Sequence, residues 1–217
     1  LLAMAKSAVE TMDMVQAVQP SVVDFIVSGG SKRGWTTWLT AAGDDRVKAI
    51  IPAVIDVLNM DEQMMHHYAF YDGVASHTFG GFSEAIYDYV YYGVAQNVQQ
   101  DANRDLGKIV DPYSYINNGN LDIPKFLINS AGDEFFVPDS TQYYFSDLQG
   151  TQNYLRYIPN TGHSLNSSAN DSLLTFYDAI ANNKSLPTYS WTIGQDGSIN
   201  VQTPSSPTSV KLWQAYN

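Results

Sequence analysis

Apolar positions in the first 55 residues follow two different periods. Leu2, Ala5, Val9, Met12 and Val15 recur at helical spacing, and Pro20 ends the helix this predicts over 1–18. Val22–Ser28 and Val47–Ile55 are instead largely apolar runs of strand length, interrupted by Asp24 and Lys48, as in buried parallel strands. Between them, Trp35–Ala42 predicts a helix that stops at Gly43. Helix–strand–helix–strand in this order predicts an α/β fold with a doubly wound parallel sheet. Ile123–Ser130 and Tyr154–Ile158 predict two further strands. Ser140–Leu148 predicts a helix between them, and Ser167–Asn182 one after them.

The intervening stretch, about 56–121, has another texture. It is rich in Tyr, Phe, Met and Gly, with eleven Tyr or Phe between 66 and 115. It joins two strands that a short crossover would connect, so it predicts a mainly helical cap inserted into the sheet domain, above the strand ends. Beyond residue 186 the pattern changes again. Tyr189–Ile193 and Ser198–Val201, around Asp196-Gly197, predict a hairpin. Thr203–Pro207 reads as a link and Val210–Tyr216 as a third strand, giving a C-terminal antiparallel β extension. The expected organisation is a core over 1–186, with its cap, and the start of an extension over 187–217.

Composition narrows the function. The 217 residues carry 22 acidic against 11 basic side chains, a net charge of −11. The acidic balance and scattered cations argue against nucleic acid as a partner. No apolar run is long enough to span a membrane, and no signal peptide is visible. There is no Cys, and the four histidines do not pair with acids at ligand spacing, so neither a metal nor a cofactor is expected. Sequons at Asn166, Asn170 and Asn183 lean towards a glycosylated, extracytoplasmic chain.

The chemistry concentrates at 25–38, where a strand runs into Gly29-Gly30-Ser31 and then a helix start with Gly34. This is the layout of a nucleophile elbow, in which a strained turn lifts a serine clear of its sheet. The glycine follows Ser31 by three residues rather than the common two. The helix N-terminus would put the Lys32 backbone N–H, beside Gly30, where an oxyanion forms. Asp133 follows the strand 123–130, and His163 follows the strand 154–158 after a Pro-Asn-Thr-Gly turn. Ser31, Asp133 and His163 thus stand in the chain order of an α/β-hydrolase triad, each at the carboxyl end of a strand.

Rival assignments stay open at this point. Asp56, after the strand 47–55, is an alternative acid. Asp139 reads as a helix cap behind Pro138, and Asp44 with Asp45 as a solvated loop pair before Arg46. His66, His67 and Tyr68 are candidate substrate-lining residues of the cap.

Gly-Gly-Ser-Lys-Arg-Gly-Trp-Thr-Thr-Trp, Arg-Val-Lys-Ala-Ile-Ile-Pro, Val-Ile-Asp-Val-Leu-Asn-Met, Ser-Ala-Gly-Asp-Glu-Phe-Phe and Gly-His-Ser together resemble the PhoPQ-activated pathogenicity-related family. The G-x-S-x-x-G spacing is also similar to that of glucuronoyl-type carbohydrate esterases. The family resemblance implies an α/β-hydrolase-like fold with the triad Ser31, Asp133 and His163. It further implies a chain that extends N-terminally beyond residue 1, with strands pairing beside Val22–Ser28. Family members include bacterial envelope or secreted proteins and a secreted eukaryotic proliferation repressor that signals and repels cells. Two readings follow. One is a serine hydrolase of esterase or peptidase type, acting on a small-molecule or peptide substrate. The alternative is a secreted signal on a hydrolase scaffold that binds a cell-surface receptor. An intact triad favours the first.

Overall fold

The computed structural model describes residues 1–72 and 78–214, with no side chains described at 101–103. His77, one of the four histidines, lies outside the described residues. The chain divides into two compact units, Leu1–Leu173 and Leu174–Asn217. In chain order the elements are α1 (Leu2–Val18), β1 (Phe25–Gly30), α2 (Lys32–Gly43), β2 (Val47–Ala53), α3 (Met60–Tyr71), the short strands β3 (Thr78–Phe79) and β4 (Phe82–Ser83), α4 (Tyr87–Tyr91), α5 (Asp101–Val110), β5 (Lys125–Ser130), β6 (Asn153–Ile158), α6 (Ser167–Ala181), β7 (Ser190–Ile193) and β8 (Ile199–Gln202).

The first unit is built on a four-stranded sheet in the order β1-β2-β5-β6, every pair parallel. β2 is a central strand, and its Val47, Ala49, Ile50 and Ile51 are almost fully covered, which is why it reads as an apolar run broken only by the exposed Lys48. Trp35, Trp38 and Leu39 of α2 pack with Met12 of α1 and Val47, Ile50 and Leu127 of the sheet into the main core. β1 begins at Phe25 rather than Val22. The Val22 N–H closes a turn on the Gln19 carbonyl, Val23 stays 60% exposed, and pairing starts where the Phe25 N–H reaches Arg46 O. Asp44 is not solvated as expected: its carboxylate takes Arg46 at 2.6 Å, which holds its pKa below the ordinary value. The same guanidinium reaches Asp13 at 2.7 Å, tying α1 to the start of β2.

The insertion between β2 and β5 is the predicted cap, with α3, α4, α5 and the β3–β4 pair. Phe82, Ile86, Val90 and Ala95 form its own small core. The helix expected over Ser140–Leu148 is replaced by two 3-10 turns, Ser140–Tyr143 and Phe145–Asp147. Tyr144 breaks them: it is fully buried in the main core, and its φ of −153° is incompatible with a helix. In the second unit, β7 and β8 pair antiparallel across a turn in which Gly197 takes a φ of 80° and Ser198 N–H caps Asp196. Residues 210–214 form no strand, and the rest of the strand expected there lies outside the described residues.

Candidate active site

Ser31 sits between the end of β1 and the first residue of α2, with φ 55° and ψ −129°. That backbone is sparsely populated for a residue with a Cβ and persists only where the surroundings impose it. The imposing contacts are the Ser31 N–H on Ala53 O at 2.8 Å and the two close glycines. A Cβ on Gly29 would lie 2.5 Å from Arg33 O, and one on Gly34 would lie 2.6 Å from the Ile55 side chain and 2.8 Å from Gly29 O. A Cβ on Gly30 would meet nothing nearer than 3.9 Å. The unusual glycine spacing therefore has a steric cause: α2 touches the sheet at Gly34, while Arg33 one residue earlier is exposed. The first N–H groups of α2, those of Lys32, Arg33 and Gly34, precede the first helical bond, Trp35 N–H to Ser31 O at 3.0 Å, and so stand free of intrahelical partners at the end where Ser31 lies.

Asp133 and His163 are brought together from the loops after β5 and β6. His163 Nδ1 lies 3.0 and 2.9 Å from the two Asp133 carboxylate oxygens, and the Asp133 side chain is only 3% exposed. The Phe135 N–H donates to Asp133 at 2.8 Å and fixes its rotamer. Three contacts then bind one loop to the other. The Gly132 N–H reaches Thr161 O at 2.9 Å, the Ser130 hydroxyl also donates to Thr161 O, and the His163 N–H donates to the Glu134 carboxylate at 3.0 Å. A side chain at 132 would collide with Thr161 O at 2.9 Å, so Gly132 is required by this approach. Glu134 had no assigned role from the sequence, because its partner is a backbone amide 29 residues away.

Ser31 and Lys32 open onto a cavity of about 330 Å³ between the sheet domain and the cap. Phe135 also lines it, and its ring lies 4.3 Å from that of His163. Asp56 takes no part in this pairing. It is 2% exposed, accepts Asn129 Nδ2 at 3.0 and 2.9 Å and the Tyr157 hydroxyl at 3.2 Å, and also accepts the Tyr144 hydroxyl. Burial pushes its carboxyl up to about 6, with the nearby Asp133 adding to the rise. The alternative acid is thus a buried anchor at the ends of β2, β5 and β6.

The cap residues singled out from sequence do not line the cavity at Ser31. His66 binds Asp139 at 2.6 Å, which also occupies the carboxylate expected to cap a helix there. His67 is 3% exposed between Tyr71 and Phe82, neither ring nitrogen has a hydrogen-bond partner among the described residues, and burial lowers its pKa to about 4. Tyr68 faces a second cavity of about 470 Å³, which shares Met64, Ala95 and Val98 with the first. Among the described residues no cluster of His, Asp and Glu could hold a metal ion. No helix there is long and apolar enough to cross a membrane. Asn166, Asn170 and Asn183 are all exposed.

This architecture is shared with solved structures. An acetyl xylan esterase from Paenibacillus sp. R4 superposes with a TM-score of 0.51 at 15% identity, over 73% of this chain and 46% of that one. The acylaminoacyl peptidase of Pyrococcus horikoshii gives 0.50 at 16% identity, over 73% and 23%. At such identities the likeness establishes the fold, that of the α/β hydrolases. A nearer relative is Autocrine proliferation repressor protein A of Dictyostelium discoideum, 36% identical over 230 residues, 99% of this chain and 44% of the relative. The chain spans less than half the length of that relative. The family model described as PhoPQ-activated pathogenicity-related protein matches residues 1–217, and the chain belongs to that family.

Proposed function

We propose that this chain carries the centre of a serine hydrolase that cleaves ester or peptide bonds through an acyl-enzyme. The observation that carries the proposal is the pairing of His163 with the buried Asp133, the imidazole lying tilted against the Phe135 ring that walls the cavity of Ser31. In the reading, the Ser31 hydroxyl attacks the carbonyl carbon and His163 takes its proton. Asp133 holds the imidazole with Nδ1 protonated and balances the imidazolium. The Lys32 backbone N–H donates to the oxyanion at the positive end of α2. His163 then returns the proton to the leaving group, and water repeats the cycle on the acyl-enzyme. The test is labelling by a fluorophosphonate probe. Wild type should label and Ser31→Ala should not, with turnover falling on the order of 10⁴-fold. Labelling that persists in Ser31→Ala would refute the assignment.

A second reading is supported by the name of the 36% identical relative, a proliferation repressor. Here the protein acts outside the cytoplasm by binding a cell-surface receptor, with glycans on the exposed Asn166, Asn170 and Asn183. Ser31→Ala separates the two: repression that survives it belongs to binding, and repression lost with it belongs to hydrolysis.

A further inference from the structure

Resting on the hydrolase reading above, we infer that the substrate is an ester with a medium-length apolar acyl group, and that the 330 Å³ cavity holds that acyl group. Three observations carry this. The first is size. At roughly 30 Å³ for each water- or methylene-sized group, the space holds on the order of ten such groups. An acetyl group would leave most of it empty.

The second is chemistry. Most of the wall is apolar, Trp35, Ile55, Met64, Ile86, Val94 and Phe135 among it. Two polar groups there are already engaged, and the Tyr89 phenol adds one further hydroxyl to the wall. The Gln63 amide donates to Leu58 O and Ser140 O at 3.2 and 2.9 Å, and the Trp35 indole donates to Val110 O at 2.6 Å. Lys32 and Asp88 are exposed. Such a wall suits hydrocarbon and would leave most hydroxyls of a sugar ring unpaired wherever they lie against it, which is costly.

The third is direction. The group that protonates the leaving oxygen must stand beside it. His163 is not among the described residues lining the cavity, although Ser31 and Lys32 are. The leaving alcohol therefore departs on the His163 side, and the part that stays in the cavity is the acyl chain. In the step itself, the bond from Ser31 Oγ to the carbonyl carbon forms as the bond to the alcohol oxygen breaks. The serine proton passes through His163 to that oxygen. Water then cleaves the acyl-serine and releases the carboxylic acid.

The test is a kcat/KM series on the protein that carries this chain. p-Nitrophenyl esters from acetate to dodecanoate vary the acyl side, and ethyl to octyl acetates vary the alcohol. Burial of each methylene is worth about fourfold, so the acyl series should rise at least 100-fold from acetate to near octanoate, then fall. The alcohol series should stay nearly flat. Ala85→Phe puts a ring into the cavity wall and should cut the octanoate-to-acetate ratio at least tenfold. Val94→Phe serves the same purpose if that variant does not fold, and the wild-type profile needs neither. Ser31-dependent turnover that peaks at acetate, or that follows only the alcohol, would overturn the acyl assignment while leaving the hydrolase reading intact. No turnover of any ester, with no fluorophosphonate label on Ser31, would overturn both.

Discussion

Replacing Asp56 by Asn isolates the electrostatic part of the buried network that ties β2, β5 and β6. In the unfolded chain this carboxyl ionises at its ordinary 3.8, and in the fold at about 6. Between those values the folded state keeps a proton that the unfolded state has lost, so the linkage has a definite sign. The stability Asp56 contributes is complete below 3.8 and is lost as pH rises through 6. At 1.36 kcal/mol for each tenfold in proton affinity, the full loss is about 3 kcal/mol. Of this, about 1.4 kcal/mol falls between pH 5 and pH 7.5. Asn at 56 does not titrate. Whatever its rearranged hydrogen bonds to Asn129, Tyr144 and Tyr157 cost, that cost is the same at both pH values and cancels in the comparison. Urea unfolding followed by the fluorescence of Trp35 and Trp38 reads the difference. Wild type should gain on Asp56→Asn by about 1.4 kcal/mol from pH 7.5 to pH 5, roughly half a molar in midpoint for a slope of about 2–3 kcal/mol/M. Tyr144→Phe removes a donor to the carboxylate and should widen the pH effect. If the two proteins keep a constant difference across this range, Asp56 ionises normally and the network is not dry.

His67→Phe should act in the opposite direction. The folded pKa is about 4 against 6.5 unfolded, so the fold excludes the proton, and stability is full above 6.5 and falls on acidification. The variant should recover about 2 kcal/mol at pH 5 relative to pH 8, and equal melting shifts at both would refute this. Gly34→Ala should cost about 1–3 kcal/mol by overpacking against Ile55 and slow fluorophosphonate labelling, while Gly30→Ala changes stability little, and the reverse order in thermal melts would contradict the steric reading. Asp133→Asn keeps the acceptor for the Phe135 N–H, so the protein should fold, yet turnover should drop on the order of 10⁴-fold because the imidazole tautomer is no longer held. A loss under tenfold would remove Asp133 from the mechanism.

Much of this site is legible in the sequence because its signals are local. A strand, a glycine pair, a serine and a helix start sit within 14 residues, and Asp133 and His163 each follow their own apolar run. What stays hidden depends on tertiary partners. Nothing around Tyr144 marks it as a helix breaker, since its burial and its hydroxyl contact depend on Asp56, 88 residues earlier. His66 and His67 are adjacent on α3 and so point about 100° apart, and the sequence does not say which face meets the cavity. The structure turns one to Asp139 and the other into the cap interior. Glu134 is invisible for the same reason, because its role lies in an amide on another loop.

The zipped pair of loops has a dynamic consequence. With Gly132, Ser130 and Glu134 fastened to Thr161 and His163, the acid and the imidazole form one rigid body carried on neighbouring strands. Neither loop can then move away from the other without breaking these contacts, which favours joint over relative displacement of the two groups. The cap donates Ser83 Oγ to Glu134 O at 2.7 Å and so is tied to the same body. Slow cap motions would therefore alter access to the cavity at Ser31 without disturbing the 2.9 Å contact by which Asp133 orients the imidazole.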